Sequence, residues 1–298
     1  MRTTKFGAHS GFGAGGDESE LASEAVGRGD RGRGLHEEHI EKAVLSNGIT
    51  VLSRYLTDPD IVAISIGSRA GARNESDTTA GATKFLEKLY LQGTTRRPGP
   101  EQVQRPLTVR GSGMSAMAGS EMVVFQSQVR TADLDTMLDV VSDVILNSQF
   151  SEERIENEGR VILEELRARR ASPNVYASDL FYPAVFGSHP LSRSTAGDAD
   201  NTPRLTRDIL VGYRDRYVTG VNTVIAVAGN LPSDQVFAQA EKYFGSMPAG
   251  SPAPSSDVPP PGPNPGRIDG QAGSSQARVI IGGPLPGLRH EDRFPLAV

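Results

Sequence analysis

The 298-residue sequence predicts an α+β fold, a mixed sheet with helices packed on it. Three observations carry that expectation. Runs of strand character, at residues 61–67 and 223–228 among others, mix with helix-patterned segments without the strict alternation that a parallel sheet requires. Leu134, Met137, Leu138, Val141, Val144 and Ile145 recur at spacings of three and four, which puts one apolar stripe on one side of a helix. Hydrophobic residues make up 37% of the chain and charged residues 22%, a balance that suits a globular protein.

Residues 1–34 are rich in Gly, Ser, Asp, Glu and Arg and nearly lack large apolar side chains, so they cannot build a core. Residues 1–40 therefore read as a disordered or targeting segment. Arg2 and Lys5 suit a transit peptide, whereas Asp17, Glu18 and Glu20 do not. Order is expected from residue 41. Apolar residues at 43–45 and 49–52 flank Asn47-Gly48, a type I′ hairpin signal. A strand is expected at 61–67, then a helix over 80–92 ended by Gly93. A β-branched and aromatic strand follows at 122–129, then the amphipathic helix from Leu134. The next helix, 151–170, has Ser151 as N-cap and Glu152 and Glu153 in its first turn. A helix at 206–217, a buried strand at 223–228 and a helix at 233–244 with Ser233 as N-cap complete a domain spanning 41–249. Residues 250–276 lie in a Pro/Gly/Ser run that reads as a linker. Residues 277–283 read as a new strand, opening a segment, 277–298, too short to bury a core alone.

Several function classes are disfavoured by composition. A net charge of −5 offers no footprint for nucleic acid. No run of 18 apolar residues is present, so no membrane-spanning helix is expected. The chain has no Cys, which removes disulfides and thiolate metal sites. Among the five His, His36 and His39 flank two glutamates, but at a spacing of three in a polar lead-in they make a poor zinc motif.

The informative stretch is Thr83-Lys84-Phe85-Leu86-Glu87-Lys88-Leu89. In the zinc motif H-x-x-E-H, two His on one helix face hold the metal and the Glu between them is general base toward the bound water. Here Glu87 stands at the base position, while Lys84 and Lys88 stand at both ligand positions. A protonated lysine has no lone pair to offer, and two ammonium groups repel a dication. The longer run from Gly81 to Thr94 resembles the G-x-x-H-F-L-E-H-x-x-F-x-G-T signature of the pitrilysin/insulinase-type metallopeptidases. Within that family it is most similar to the mitochondrial branch, which holds the processing peptidase and the core subunits of ubiquinol–cytochrome c reductase (complex III). Phe85-Leu86-Glu87-Lys88-Leu89 is nearer to the alpha-type processing subunit. Leu45 to Val51, Gly67 to Glu75, Gly187 to Leu191 and Val227 to Leu231 resemble further landmarks in family order, so the likeness runs from about residue 40 to 250.

The resemblance implies a role for particular residues. Glu165 falls at the family's third zinc ligand, and Glu158 at the glutamate seven residues before it, behind the site. Ser115 and Met117 fall in the strand that binds substrate backbone, where active members carry Asn and Tyr. With two ligands and two substrate groups altered, the expectation is a vestigial base at Glu87, vestigial zinc positions at Lys84, Lys88 and Glu165, and no zinc in this chain, the metal being left to a partner. Lys84 or Lys88 is expected to pair with Glu165, and Glu158 with Arg154 or Arg160. Arg167, Arg169 and Arg170 would suit the negative end of a helix, and His189 would anchor a loop.

The implied fold is one half of a two-half peptidase core, the strand at 277–283 opening an incomplete second, homologous half. A continuation of the chain or another polypeptide would complete it. The implied function is a non-catalytic core subunit of complex III on the matrix side of the mitochondrial inner membrane, partnered by a homologous beta-type or core subunit and other subunits of that complex. The alternative is the alpha subunit of the processing peptidase, which handles presequence peptides while a beta partner cleaves them. An active zinc endopeptidase ranks last, since a catalytic zinc site needs three protein ligands plus water.

Overall fold

Among the described residues seven strands form one mixed sheet: β1 (Thr3–Phe6), β2 (Ile40–Val44), β3 (Thr50–Tyr55), β4 (Ile61–Ser68), β5 (Met114–Ala118), β6 (Val123–Arg130) and β7 (Thr223–Gly229). Their spatial order is β1-β2-β3-β7-β4-β6-β5. The computed structural model that shows this describes residues 3–6, 40–57, 60–255, 267–271 and 276–283. Only β3 and β7 run parallel, and every other pair is antiparallel. Among the described residues seven α-helices accompany the sheet: α1 (Ala82–Leu89), α2 (Pro100–Thr108), α3 (Leu134–Asn147), α4 (Glu152–Ala171), α5 (Pro173–Phe186), α6 (Arg207–Tyr217) and α7 (Ser233–Phe244). The α+β class is as the sequence predicts.

Strand periodicity separates the faces. Val62, Ile64 and Ile66 of β4, Phe125 of β6 and Ile225 of β7 join one apolar core with Phe85 and Leu86 of α1, Met137 and Val141 of α3 and Phe244 of α7. The alternate residues Ala63, Ser65, Gln126, Gln128, Ala226 and Ala228 surround an open hollow of about 760 Å³. Tyr90 anchors the core beneath α1, with edge-on contacts to Phe125 at 4.8 Å and Phe150 at 5.3 Å.

Several expectations need correction. The hairpin at 45–49 is not type I′, because among the described non-glycine residues only Phe150 has positive φ, so Asn47 does not. Instead Gly48 N donates to Leu45 O and Leu45 N to Ile49 O, with Gly48 at φ 90°, a type I turn with a glycine bulge. The reason is tertiary. The buried Asn47 amide donates to the carbonyls of Phe244, Gly245 and Met247 at 2.9, 3.3 and 3.1 Å, closing the end of α7. Asn47→Ala is expected to cost about 2 kcal/mol by orphaning those carbonyls, read as a lower urea midpoint; a shift under about 0.5 kcal/mol would show that water replaces the amide.

Ser233 is the first residue of α7 and Pro232 holds the cap position, so the expected cap is displaced by one. Residues 3–6 are not part of a structureless segment: they pair antiparallel with β2, Thr3 opposite Ala43 and Phe6 opposite Ile40, covering an edge left unpaired otherwise. His36 and His39 lie outside the described residues. Helices α2 and α5 were not foreseen, since Pro106 and Pro183 interrupt their patterns. The start of the supposed linker is pinned: Gly220 N donates to Pro248 O and Val221 N to Ala249 O, while the Asn222 amide bonds Ser251 O at 2.8 Å and Ala253 N at 2.7 Å. Residues 277–283 form no strand among the described residues, and Val279 and Ile281 are 75% and 93% exposed. No strand among the described residues pairs with them, and β-structure needs such a ladder.

Candidate functional site

Helix α1 starts where the backbone can turn sharply and its first amides find an anion. Gly81 caps it at φ 95°, a conformation that side chains other than glycine's resist. The buried Glu75 carboxylate accepts from Gly81 N at 2.9 Å and Thr83 N at 2.8 Å, meeting two donors at the positive end of the helix. Burial pushes this carboxyl above the usual glutamate range, against the two backbone hydrogen bonds. Thr83 Oγ1 donates to Ala70 O and lies 3.2 Å from the Tyr213 hydroxyl, tying α1 to α6.

Helical spacing then sorts α1 into two sides. Phe85, Leu86 and Leu89 are buried, while Lys84, Glu87 and Lys88 share the side toward α4. Gly159 lets α4 come close: a Cβ there would sit 3.4 Å from the ring tip of Phe85. Along α4, Ile155, Glu158, Ile162 and Glu165 follow a three-four-three spacing, the two isoleucines buried and the two glutamates reaching residues of α1 and the turn after it.

The charged groups meet as one cluster. Lys84 Nζ lies 2.6 Å from Glu87 Oε1 and 3.5 Å from Glu165 Oε2. Lys88 Nζ lies 2.5 Å from Glu165 Oε1. The second oxygen of Glu87 accepts from Ala118 N, at the end of β5, at 2.7 Å. All four side chains are partly shielded, from 16% exposed at Lys84 to 40% at Glu165. For Glu165 burial is the largest single effect and raises its pKa, yet the Lys88 hydrogen bond and the charges of both lysines together hold the carboxyl below its ordinary value.

Glu158 departs from expectation. It accepts from Gln92 Nε2 at 2.8 Å rather than pairing with Arg154 or Arg160, because it faces the turn after α1 while Arg160 bonds Asn157. Gln92 and Ala118 N were not foreseen as members of the site; their only sequence signal is position, just after α1 and at the end of the substrate strand. Ser115 and Met117 lie in β5 and are exposed, Met117 at 50%. His189 accepts from Leu191 N, holding its loop. At the end of α4, Arg167 pairs with Glu164, Arg169 with Asp179, and Arg170 lies over the Tyr176 ring.

The family's metal is Zn²⁺, and the residues present do not fit it. Two ammonium groups occupy the side of α1 that should supply imidazoles, and both carboxylates are engaged by them. Among the described residues no group of three or more His, Cys, Asp or Glu gathers as a metal site would, and no helix is long and apolar enough to cross a membrane.

Comparison with known proteins places the geometry in context. Residues 50–199 match the family model described as Insulinase (Peptidase family M16), and residues 204–298 the one described as Peptidase M16 inactive domain. An uncharacterized zinc protease of Mycobacterium leprae is 29% identical over 264 residues, covering 86% of this chain and 58% of that protein. The beta subunit of the mitochondrial-processing peptidase of Neurospora crassa is 30% identical over 232 residues, covering 76% and 48%. The chain thus spans about half the length of the curated relatives it matches. A protease from Helicobacter pylori superposes with TM-score 0.67 at 22% identity, over 74% of this chain and 53% of that one. A peptidase M16 inactive domain from Pseudomonas fluorescens superposes with TM-score 0.69 at 18% identity, over 75% and 54%; at these identities the likeness speaks to fold alone.

Proposed function

We propose a non-catalytic role for this chain, which belongs to the insulinase family of peptidases, M16: a subunit that works beside a homologous, zinc-bearing chain. The observation that carries this reading is the cluster of Lys84, Lys88, Glu87 and Glu165, in which ammonium groups neutralise the carboxylates a metal would need. A general base requires a metal-activated water to deprotonate, and Glu87 has spent both oxygens on Lys84 and Ala118 N. The altered Ser115 and Met117 in the substrate strand support the same reading.

The setting we favour is a core subunit of ubiquinol–cytochrome c reductase at the matrix side of the mitochondrial inner membrane. The alpha position of a processing peptidase is the second reading, supported by the run Phe85-Leu86-Glu87-Lys88-Leu89; the relatives of that enzyme found are fungal and plant beta subunits. The relatives include bacterial zinc proteases as well, so a bacterial heterodimer of the same design satisfies the proposal too. Purification from the native host separates these settings: a haem-absorbing membrane complex favours the first, a soluble pair with a zinc-bearing homologue the second.

The non-catalytic reading has its own test. The purified chain is expected to hold no stoichiometric zinc by elemental analysis and to leave a basic presequence-type peptide intact, with Glu87→Gln making no difference. Zinc near one per chain, together with cleavage abolished by Glu87→Gln, would overturn it.

A further inference from the structure

We propose that the outer edge of β5 is closed to peptide addition by two side chains of this chain, Gln104 and Glu87. This rests on the non-catalytic reading above and adds how the former substrate strand is disposed.

Strand β5 ends the sheet, with β6 on one side only. Its register sets Met114 opposite Ser127, Ala116 opposite Phe125 and Ala118 opposite Val123. Gly119 N donates to Met122 O at 2.9 Å, which makes that pair a hydrogen-bonded one. Such pairs alternate along an antiparallel ladder. Met117 and Ser115 therefore bond to β6, while Met114, Ala116 and Ala118 turn their N–H and C=O groups to the outer edge. An extended peptide adding to this edge would need that outward row.

Two of the three outward residues are already engaged. Gln104, from α2, donates through Nε2 to Met114 O at 2.8 Å and accepts from Met114 N at 3.0 Å. Its side-chain amide thus pairs with Met114 as the peptide group of a neighbouring strand would. At the other end Glu87 Oε2 takes Ala118 N at 2.7 Å, and Lys84 fixes that carboxylate through its first oxygen. Ala116 is left as the one outward residue whose N–H and C=O both lack a partner among the described residues. One residue cannot hold a strand in register, since affinity in this mode comes from successive main-chain bonds. Side chains folded onto an edge also guard it against pairing with other chains. The lysine at 84 therefore does more than displace a metal: it turns the former base into a clasp across the strand that peptide would have used.

Amide hydrogen exchange on the wild-type chain tests this directly. The Met114 and Ala118 amides are expected to exchange at least about tenfold more slowly than that of Ala116, as one retained hydrogen bond implies. Glu87→Ala should release Ala118, and Gln104→Ala should release Met114. Glu87→Gln should keep Ala118 protected, since its amide oxygen still accepts. A fluorescein-labelled basic presequence-type peptide, followed by polarisation, should bind the Gln104→Ala/Glu87→Ala double variant at least roughly fivefold more tightly than wild type or Glu87→Gln, because the freed edge offers three consecutive outward residues. Exchange at Met114 and Ala118 as fast as at Ala116 in the wild type would overturn the proposal, and so would a folded double variant with unchanged affinity. If the double variant fails to fold, the wild-type exchange pattern decides alone. Zinc content and cleavage in the same wild-type preparation report separately on the non-catalytic reading.

Discussion

Replacing Lys84 and Lys88 together by histidine is expected to give a chain that retains about one zinc per chain after dialysis, where the wild type is expected to retain none. The geometry needed is largely in place. Positions 84 and 88 lie on the side of α1 that faces α4, and both lysines already reach Glu165. Two imidazoles at i and i+4 with one carboxylate supply three protein ligands, leaving a fourth position to water. Glu158, held by Gln92, stands two turns before Glu165 on α4 and helps fix that helix against the turn after α1. A dissociation constant at or below about 1 µM, near 8 kcal/mol, is expected from a three-ligand site. Elemental analysis and competition with a chromophoric chelator measure it. Either single replacement should retain no zinc, because one ammonium would remain against the position the ion must take.

The same double variant without metal should be less stable than wild type. Neutral imidazoles leave Glu87 and Glu165 as two close carboxylates without cations, and stripping one partner from a shielded pair is costly. Glu165 is 40% exposed, so solvent moderates the loss to about 1 kcal/mol. Zinc should restore the lost melting temperature and carry it past that of wild type, since a ligand bound only by the folded state stabilises it. Peptide cleavage is not expected to follow, because Ser115 and Met117 are unchanged and Gln104 still engages Met114 at the edge of β5. A variant that binds no zinc would show that α1 and α4 are spaced for ammonium–carboxylate contacts and not for metal bonds.

What the sequence disclosed, and what it hid, follows from the range of each signal. The helix from Leu134 and the strands at 61–67 and 223–228 were legible because their apolar periods are local and unbroken. The charged members of the site were legible because Lys84, Glu87 and Lys88 fall within one helical turn. Helices α2 and α5 were hidden by Pro106 and Pro183, each of which breaks the intrahelical pattern that a sequence reading relies on. Asn47 read as a turn residue, yet its amide serves three carbonyls about two hundred positions away. No local pattern carries that information. The partners of Glu158 and of the β5 edge, Gln92 and Gln104, were missed for the same reason: a glutamine that mimics or meets a distant group looks in sequence like any polar surface residue.

Glu75 makes the strongest case for a residue whose weight sequence alone understates, since it reads there as one position in the loop before α1. Glu75→Ala is expected to destabilise the chain by about 3 kcal/mol, because two buried amides at the start of α1 lose their only acceptor at about 1–3 kcal/mol each. Glu75→Gln should cost less, as one amide oxygen can serve one of the two donors while the added NH₂ opposes the other. The pH dependence separates the charge from the hydrogen bonds. Burial, the leading effect, raises this carboxyl above its ordinary value of 4.5. A carboxyl shifted upward in the folded state contributes stability that is full below the unfolded value and is lost as pH rises through the folded one. The stability gap between wild type and Glu75→Gln should therefore widen as pH is lowered from 7 toward 4.5, opposite in sign to what the downward-shifted Glu165 would produce. Urea unfolding of both proteins across that range measures the gap. If it narrows instead, the carboxylate is stabilised by the positive end of α1 and by Arg193 more than burial opposes it, and α1 is held at its start by charge.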